Sequence, residues 1–238
     1  MQESSRGKVR AWDLPTRLFH WALVILVFSA WATWRYSEAL RDPTLSYHRW
    51  IGHSLLVLIV FRLLWGLFGS STSRFQAWLY WPWAAASYLL DLLRGRARRF
   101  LGHTPVGSYM VLALLGAVTT QGVLGLMTVE HNDLTAGPLY RLLSEPNQQL
   151  VASWHRWLFY WVILALVLVH ILANFLYGLV KHDPLITAMI TGKKPAADYQ
   201  DATEADIPQS ALLRAVACLG AATAIVFGTI VALGGKFL

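Results

Sequence analysis

The chain is poor in cysteine and in charge, and each shortage excludes a class of protein. Its single cysteine, Cys218, rules out a disulfide framework, a CxxC metal site and covalent cofactor attachment through CxxCH. Charged residues make up only 14% of the 238 residues, whereas hydrophobic residues make up 56%. The sequence contains no HExxH motif of a zinc protease and no nucleic-acid-binding motif. What is left is a hydrophobic protein whose chemistry does not depend on cysteine.

The sequence contains several long runs of apolar residues. A helix that crosses a membrane needs about 20 apolar residues. Five runs meet this length, at about residues 17–36, 49–68, 106–129, 154–180 and 211–233. The first run follows a basic start, as in a signal peptide, but its tryptophans and the four later runs favour a retained helix. We therefore predict an all-α, multi-pass integral membrane protein.

Basic residues are unevenly distributed among the predicted loops. Lysine and arginine accumulate on the cytoplasmic side of membrane proteins, and here they concentrate at the N-terminus and after the second and fourth spans. This bias predicts a cytoplasmic N-terminus and a periplasmic C-terminus. The net charge of +7 fits contacts with anionic membrane lipid, and we expect no nucleic-acid partner. The aromatic and basic segment around Pro82 predicts an additional helix in the cytoplasmic interface.

Four histidines lie near span ends at two depths: His48 and His155 outside, His20 and His170 inside. Ionisable residues within spans are costly and usually mark a function. Fifteen residues of α-helix advance ~22 Å and rotate four turns plus ~60°, so His155 and His170 point to roughly the same side. Two imidazole pairs at two levels are what two stacked haems require, since neutral imidazole is a common axial ligand of haem iron. Such haems have no open iron position, which favours electron transfer.

The residues alone leave other interpretations open. A histidine in a span can also hydrogen-bond a neighbouring helix or relay protons, so a non-redox membrane anchor or proton-relay protein is an alternative. His53 competes with His48, but it is five residues deeper and rotated by ~140°, so the two cannot face one haem. We expect His103 and His182 at the membrane interface and His131 in the solvated external loop.

Four motifs in a fixed order resemble the bacterial cytochrome b-561 family, which includes the b-type haem subunits of membrane nickel–iron hydrogenases. The motifs are WDLPTRLFHW at 12–21, HRWIGHSLLVLIVFRLLWGLFG at 48–69, GHTPVG at 102–107, and the span 4 histidines followed by AMITGKK at 188–194. The resemblance covers about residues 9–195. It implies that residues 1–195 form a di-haem domain built on four membrane helices. Residues 196–238 are then a cytoplasmic linker and a fifth membrane helix, similar to stand-alone cytochrome b members.

The resemblance also implies a function and a set of site residues. The function is electron transfer in the bacterial inner membrane through two non-covalent b haems. The haems would connect the quinone pool with a periplasmic c-type cytochrome or a dehydrogenase or hydrogenase subunit. The implied iron ligands pair as His20 with His170 and His48 with His155, and Gly52 would let the porphyrin approach the backbone.

Three arginines lie close to the expected ligands: Arg17, Arg49 and Arg156. They can pair with haem propionates or, equally, with lipid phosphates. Oxidation of superoxide at the external haem, with quinone as acceptor, is an alternative within the same class. The sequence leaves open whether the protein forms a homodimer.

Overall fold

All five predicted spans are helical in the computed structural model, which describes residues 7–129 and 135–237. Within those residues, five helices are long and apolar enough to cross a membrane. The predicted all-α integral membrane fold is therefore confirmed. The principal elements are β1 (Lys8–Arg10), α1 (Leu14–Arg35), α2 (Ser46–Phe68), α3 (Pro82–Leu93), α4 (Pro105–Met127), α5 (Glu145–Trp157), a π-helical segment (Leu158–Ile163), α6 (Leu164–Val180), α7 (Leu185–Thr191), β2 (Lys193–Pro195) and α8 (Ala211–Ala232).

The fourth span is longer than its apolar run. A continuous helix extends over Glu145–Val180, so it begins nine residues before the apolar run at residue 154. The additional turns are polar, and Pro146 lies in the first turn, where a proline costs no hydrogen bond. The wider π-helical segment lies between the two histidines of this span.

Helix α3 lies in the segment for which an interfacial helix is predicted. Pro82 is at its first turn, and its 12 residues extend only ~18 Å, which is too short to cross a bilayer. Trp81 and Trp83 stack in parallel with ring centroids 5.1 Å apart, and both are exposed on the protein surface. Exposed tryptophans of this kind are typical of the membrane interface; the location of α3 there stays a prediction.

The chain forms two compact units, each containing parts of several helices. The first unit holds the described residues up to Leu18, together with Leu63–Ala113 and Leu166–Val216. In it, β1 pairs antiparallel with β2, with Arg10 opposite Lys193. The second unit holds Phe19–Arg62, the described part of Leu114–Ala165, and the chain from Ala217 onward.

Asp13 organises the start of α1 within the first unit. Its Oδ1 accepts the backbone N–H of Thr16 at 2.6 Å, which caps the helix. Its Oδ2 accepts the hydroxyls of Ser70 and Ser73 and the indole N–H of Trp65. All five residues are buried, so the network joins the beginning of α1 to the end of α2 in one arrangement.

Lys194 and Asp183 form a buried ion pair in the first unit. Lys194 Nζ lies 3.1 Å from Asp183 Oδ1 and donates to the carbonyl oxygen of Phe100 at 3.0 Å. Burial lowers the pKa of Lys194, and the neighbouring Asp183 carboxylate partly opposes this shift. Because its side chain is fully enclosed, Lys194 contributes to the positive bias of the sequence without contacting lipid.

Candidate functional site

A large cavity lies in the second unit, where α1, α2, α4, α5 and the π-helical segment all contribute to its wall. It contains about 1200 Å³ of space free of protein atoms, including its open mouth. Its wall is mainly apolar, and the polar side chains that it does contain include His48, Arg49, Gln121, His155 and Arg156. A concave, mostly apolar wall with a few polar side chains is the usual composition of a cofactor site.

His48 and His155 approach each other within this cavity. Their ring centroids are 6.2 Å apart and their planes are nearly perpendicular, at 86°. His48 Nδ1 lies 2.8 Å from the carbonyl oxygen of Ala30, and His155 Nδ1 lies 3.0 Å from the carbonyl oxygen of Gln121. A carbonyl oxygen only accepts, so each Nδ1 carries the hydrogen. Each ring therefore presents Nε2 as its basic nitrogen, and a backbone acceptor on the other nitrogen is the usual arrangement of metal-binding histidines.

The separation of the two rings fits one metal between them. Metal–imidazole nitrogen bonds are about 2 Å long, and the ring centre lies ~1 Å beyond the nitrogen, so two rings on opposite sides of one metal have centres ~6 Å apart. The observed 6.2 Å agrees with this value. The side-chain amide of Gln121 lies 3.2 Å from His155 Nε2, so this amide must rotate away before a metal takes that nitrogen. Nothing in the sequence indicated a role for Gln121.

Two glycines provide space around the pair. A Cβ on Gly52 would meet nothing within 4 Å, and Gly52 lines the cavity, which agrees with the expected close approach of a flat cofactor to its backbone. A Cβ on Gly125 would lie 3.1 Å from Cε1 of His155. Gly125 therefore makes room for the imidazole itself. Gly125 could not be recognised from the sequence, since glycine is common in membrane helices.

The three arginines occupy different environments. Arg49 and Arg156 line the cavity that contains His48 and His155, and Arg49 Nη1 reaches the carbonyl oxygen of Ala136 at 3.4 Å. This location favours an anionic group inside the cavity over a lipid phosphate. Arg17 lies in the first unit, where its Nη1 donates to the carbonyl oxygen of Ile190 at 2.6 Å. Its buried Nε has no hydrogen-bond partner among the described residues, and the role of Arg17 at a propionate stays a prediction.

The predicted inner pair is divided between the two units. His20 belongs to the second unit and packs edge-on against Trp21, with ring centroids 5.0 Å apart. His170 belongs to the first unit, where the side-chain amide of Asn174 lies 3.3 Å from His170 Nε2. Both histidines are half-buried. The pairing of His20 with His170 stays a prediction.

His53 lies in the cavity wall but in an aromatic environment of its own. It is buried against the rings of Trp50, Phe227 and Phe237, with ring centroids 5.6–5.9 Å away. His48 faces His155 across the cavity. This contact favours His48, rather than His53, as the partner of His155.

The remaining histidines have separate environments. His103 is half-buried and packs against the rings of Trp12 and Trp78, each 4.9 Å away. His182 is exposed, and His131 lies outside the described residues. In the described part of the chain, no three His, Cys, Asp or Glu side chains cluster as a metal site. A haem iron held by two imidazoles requires no such cluster.

The π-helical segment corrects the expected geometry of span 4. The expected rotation of ~60° between His155 and His170 assumes an α-helix throughout. Six residues between them, Leu158–Ile163, are instead π-helical. A π turn closes i→i+5 hydrogen bonds, so each of its residues rotates and rises less than in an α-helix, and neither the ~60° offset nor the ~22 Å advance of an α-helix applies to this span. Such segments are frequent at functional sites, and three residues of this one line the cavity: Phe159, Tyr160 and Ile163.

Comparison with known proteins identifies the family. Residues 11–192 match the family described as prokaryotic cytochrome b561. The chain belongs to this family. The resemblance carried by the four sequence motifs is therefore confirmed, and the chain is a membrane protein of cytochrome b type, with b-type haem as the implied cofactor. Helix α8 lies outside the matched region.

One curated relative of this cytochrome b561 protein comes from Rhizobium leguminosarum bv. viciae. It is named "Probable Ni/Fe-hydrogenase B-type cytochrome subunit" and is 22% identical over an alignment of 222 residues; the match covers 82% of this chain and 92% of the relative. No solved structure matches the chain.

Proposed function

We propose that this cytochrome b561 protein transfers electrons across the inner membrane through two b haems, between the quinone pool and a periplasmic redox partner. The observation that carries the proposal is the His48–His155 pair, whose rings are 6.2 Å apart at the cavity with each Nδ1 bonded to a backbone carbonyl. This arrangement supports a hexacoordinate iron. A bound haem supplies a reversible one-electron couple.

The side chains around the cavity would then hold and tune this cofactor. His48 and His155 would supply the axial nitrogens, and their backbone acceptors would fix the orientation of both rings. Arg49 and Arg156 would bind the propionates, because both line the same cavity. Gly52 and Gly125 would keep the space next to the macrocycle and the His155 ring open. The apolar remainder of the wall would exclude water.

A second haem is proposed at His20 and His170, with Arg17 near its propionates. Support comes from the sequence, which puts these two residues at the opposite end of the membrane from His48 and His155. Two cofactors held near opposite faces would let electrons cross the apolar region in two short steps. With the predicted orientation, the site at His48 and His155 is the periplasmic one.

The relative named as a hydrogenase cytochrome subunit supports a periplasmic dehydrogenase as the partner. A hydrogenase-type subunit would deliver electrons to the external haem, and the inner haem would pass them to quinone. A periplasmic c-type cytochrome is the alternative partner, with either direction of electron flow.

Haem quantitation tests the proposal. The purified protein should give a b-type pyridine haemochrome spectrum and close to two haems per chain. One haem per chain would mean that one histidine pair is misassigned, and no haem would exclude electron transfer by this route. Reduction of both haems by a short-chain quinol in detergent would support the quinone link. If no quinol or menaquinol analogue exchanges electrons with the haems, the quinone link is wrong.

A further inference from the structure

Residues 233–237, which follow α8, form a hook that folds back onto α2. Helix α8 ends at Ala232, and Gly234 adopts a left-handed conformation with φ of 78°. The backbone N–H of Gly235 then returns to the carbonyl oxygen of Ile230 at 2.8 Å, which is the C-terminal capping pattern that glycine favours. A Cβ on Gly235 would lie 2.8 Å from the backbone carbonyl oxygen of Ile230, so the turn also requires glycine sterically. We call residues 233–237 the C-terminal hook.

The hook places Phe237 in a four-ring cluster. Its ring stacks on Trp50 at 6.1 Å and 20°, and it meets His53 edge-on at 5.6 Å. Phe227 of α8 contacts the same ring at 5.3 Å. His53 is only 5% exposed within this cluster. Its buried Nδ1 has no hydrogen-bond partner among the described residues, which is costly for a polar atom unless a function requires it.

A small side cavity separates the hook from the large one. It contains about 240 Å³ of space, including the part that is open. Three of its lining residues, Arg49, His53 and Pro138, also line the large cavity, while Lys236 and Phe237 of the hook line it as well. These three residues therefore border both cavities, and Lys236 and Phe237 of the hook border only the smaller one.

We propose that the C-terminal hook is a water seal on the His53 side of the external haem cavity, and that Phe237 is its main component. The inference rests on the proposed haem at His48 and His155. Access of water to a metal site sets its dielectric environment and thus its reduction potential. A sealed pocket favours the ferrous haem, whose iron–porphyrin core carries no net charge, over the ferric form. Helix α8, outside the matched family region, thereby tunes a site built by the family core.

Cysteine labelling tests the seal directly. In a Cys218→Ala background, His53→Cys places the only thiol of the chain behind the hook. Labelling by a small water-soluble methanethiosulfonate, followed by mass spectrometry, should be at least about tenfold faster when the chain ends at Gly234 or carries Phe237→Ala. Phe237→Trp should preserve slow labelling. Val231→Ala, at an exposed position on α8, is the matched control and should change nothing. Equal rates with and without the hook would overturn the proposal.

The reduction potential gives a second readout with the native His53 in place. Truncation after Gly234 should lower the reduction equilibrium constant of the external haem about tenfold, which is 59 mV for one electron, and leave the inner haem unchanged. Two intact haems with unchanged potentials would overturn the seal alone. Absence of the external haem from the full-length protein would instead overturn the proposed function.

Discussion

Replacing Gly125 by valine should remove the external haem and spare the inner one. A Cβ at this position would lie 3.1 Å from Cε1 of His155, whereas carbon atoms pack best at about 3.5–4.0 Å. Alanine therefore requires a shift of roughly half an ångström, and the two methyl groups of valine need far more space. Metal–ligand distances tolerate only about 0.2 Å. We expect alanine to weaken axial binding by His155, and valine to abolish it.

Gly116 provides the matched control, because it lies on the same helix and a Cβ there would meet nothing within 4 Å. Valine has the same intrinsic helix propensity at both positions, so any difference between the variants reports contact with His155. Optical and EPR spectra of the reduced and oxidised proteins give the spin state and the number of haems. Gly116→Val should keep two low-spin haems, and Gly125→Val should keep one. Two unperturbed low-spin haems in Gly125→Val would refute the reasoning.

Three further predictions concern the framework around the site. Asp13→Ala removes the cap of α1 and the acceptor of three buried donors, so the free energy of unfolding should fall by about 3 kcal/mol; a loss below about 1 kcal/mol in detergent denaturation would contradict this. Burial disfavours ionisation of Asp42, but N–H donors from Tyr47 and Ser46 outweigh it and lower the pKa of Asp42 below 3.8. Because the folded pKa is the lower one, this carboxylate stabilises the protein above pH ~4 and the gain is lost as pH falls through the folded pKa. Between pH 5 and pH 3, the melting temperature of Asp42→Asn should therefore fall less steeply than that of the unmodified protein. Equal slopes would contradict this prediction. For a periplasmic C-terminus, a C-terminal alkaline phosphatase fusion should be active and a green fluorescent protein fusion dark. The reverse result would mean that the predicted orientation or the number of spans is wrong.

The parts of the fold that follow from local composition could be predicted from the sequence. Apolar length located five spans to within a few residues, except that the fourth begins at Glu145. The apolar run could not show those earlier turns, because they are polar and become helical by continuing the span outward. The π-helical segment was not predictable, since its sequence, LFYWVI, has no feature that distinguishes it from α-helix.

The site was predictable only where depth alone decides it. Their positions within the predicted spans place His48 and His155 at the same membrane depth, and the structure brings their rings together. Gln121 and Gly125 could not be found in this way, because their roles depend on which face of α4 meets α5. Asp13 was missed for a similar reason, since its partners Ser70 and Ser73 lie more than 50 residues away. Lys194 looked like a surface charge, and only the fold reveals its buried partner Asp183.

The most direct test is a spectral comparison of four single histidine-to-alanine variants. If the account is right, His48→Ala and His155→Ala lose the same haem component, and His20→Ala and His170→Ala lose the other. The reason is reach, because fifteen helical residues, six of them π-helical, separate the span 4 histidines by roughly 20 Å. His53→Ala should leave both components nearly intact. Loss of the external haem in His53→Ala with its retention in His48→Ala, or a pairing of His20 with His155, would contradict the account.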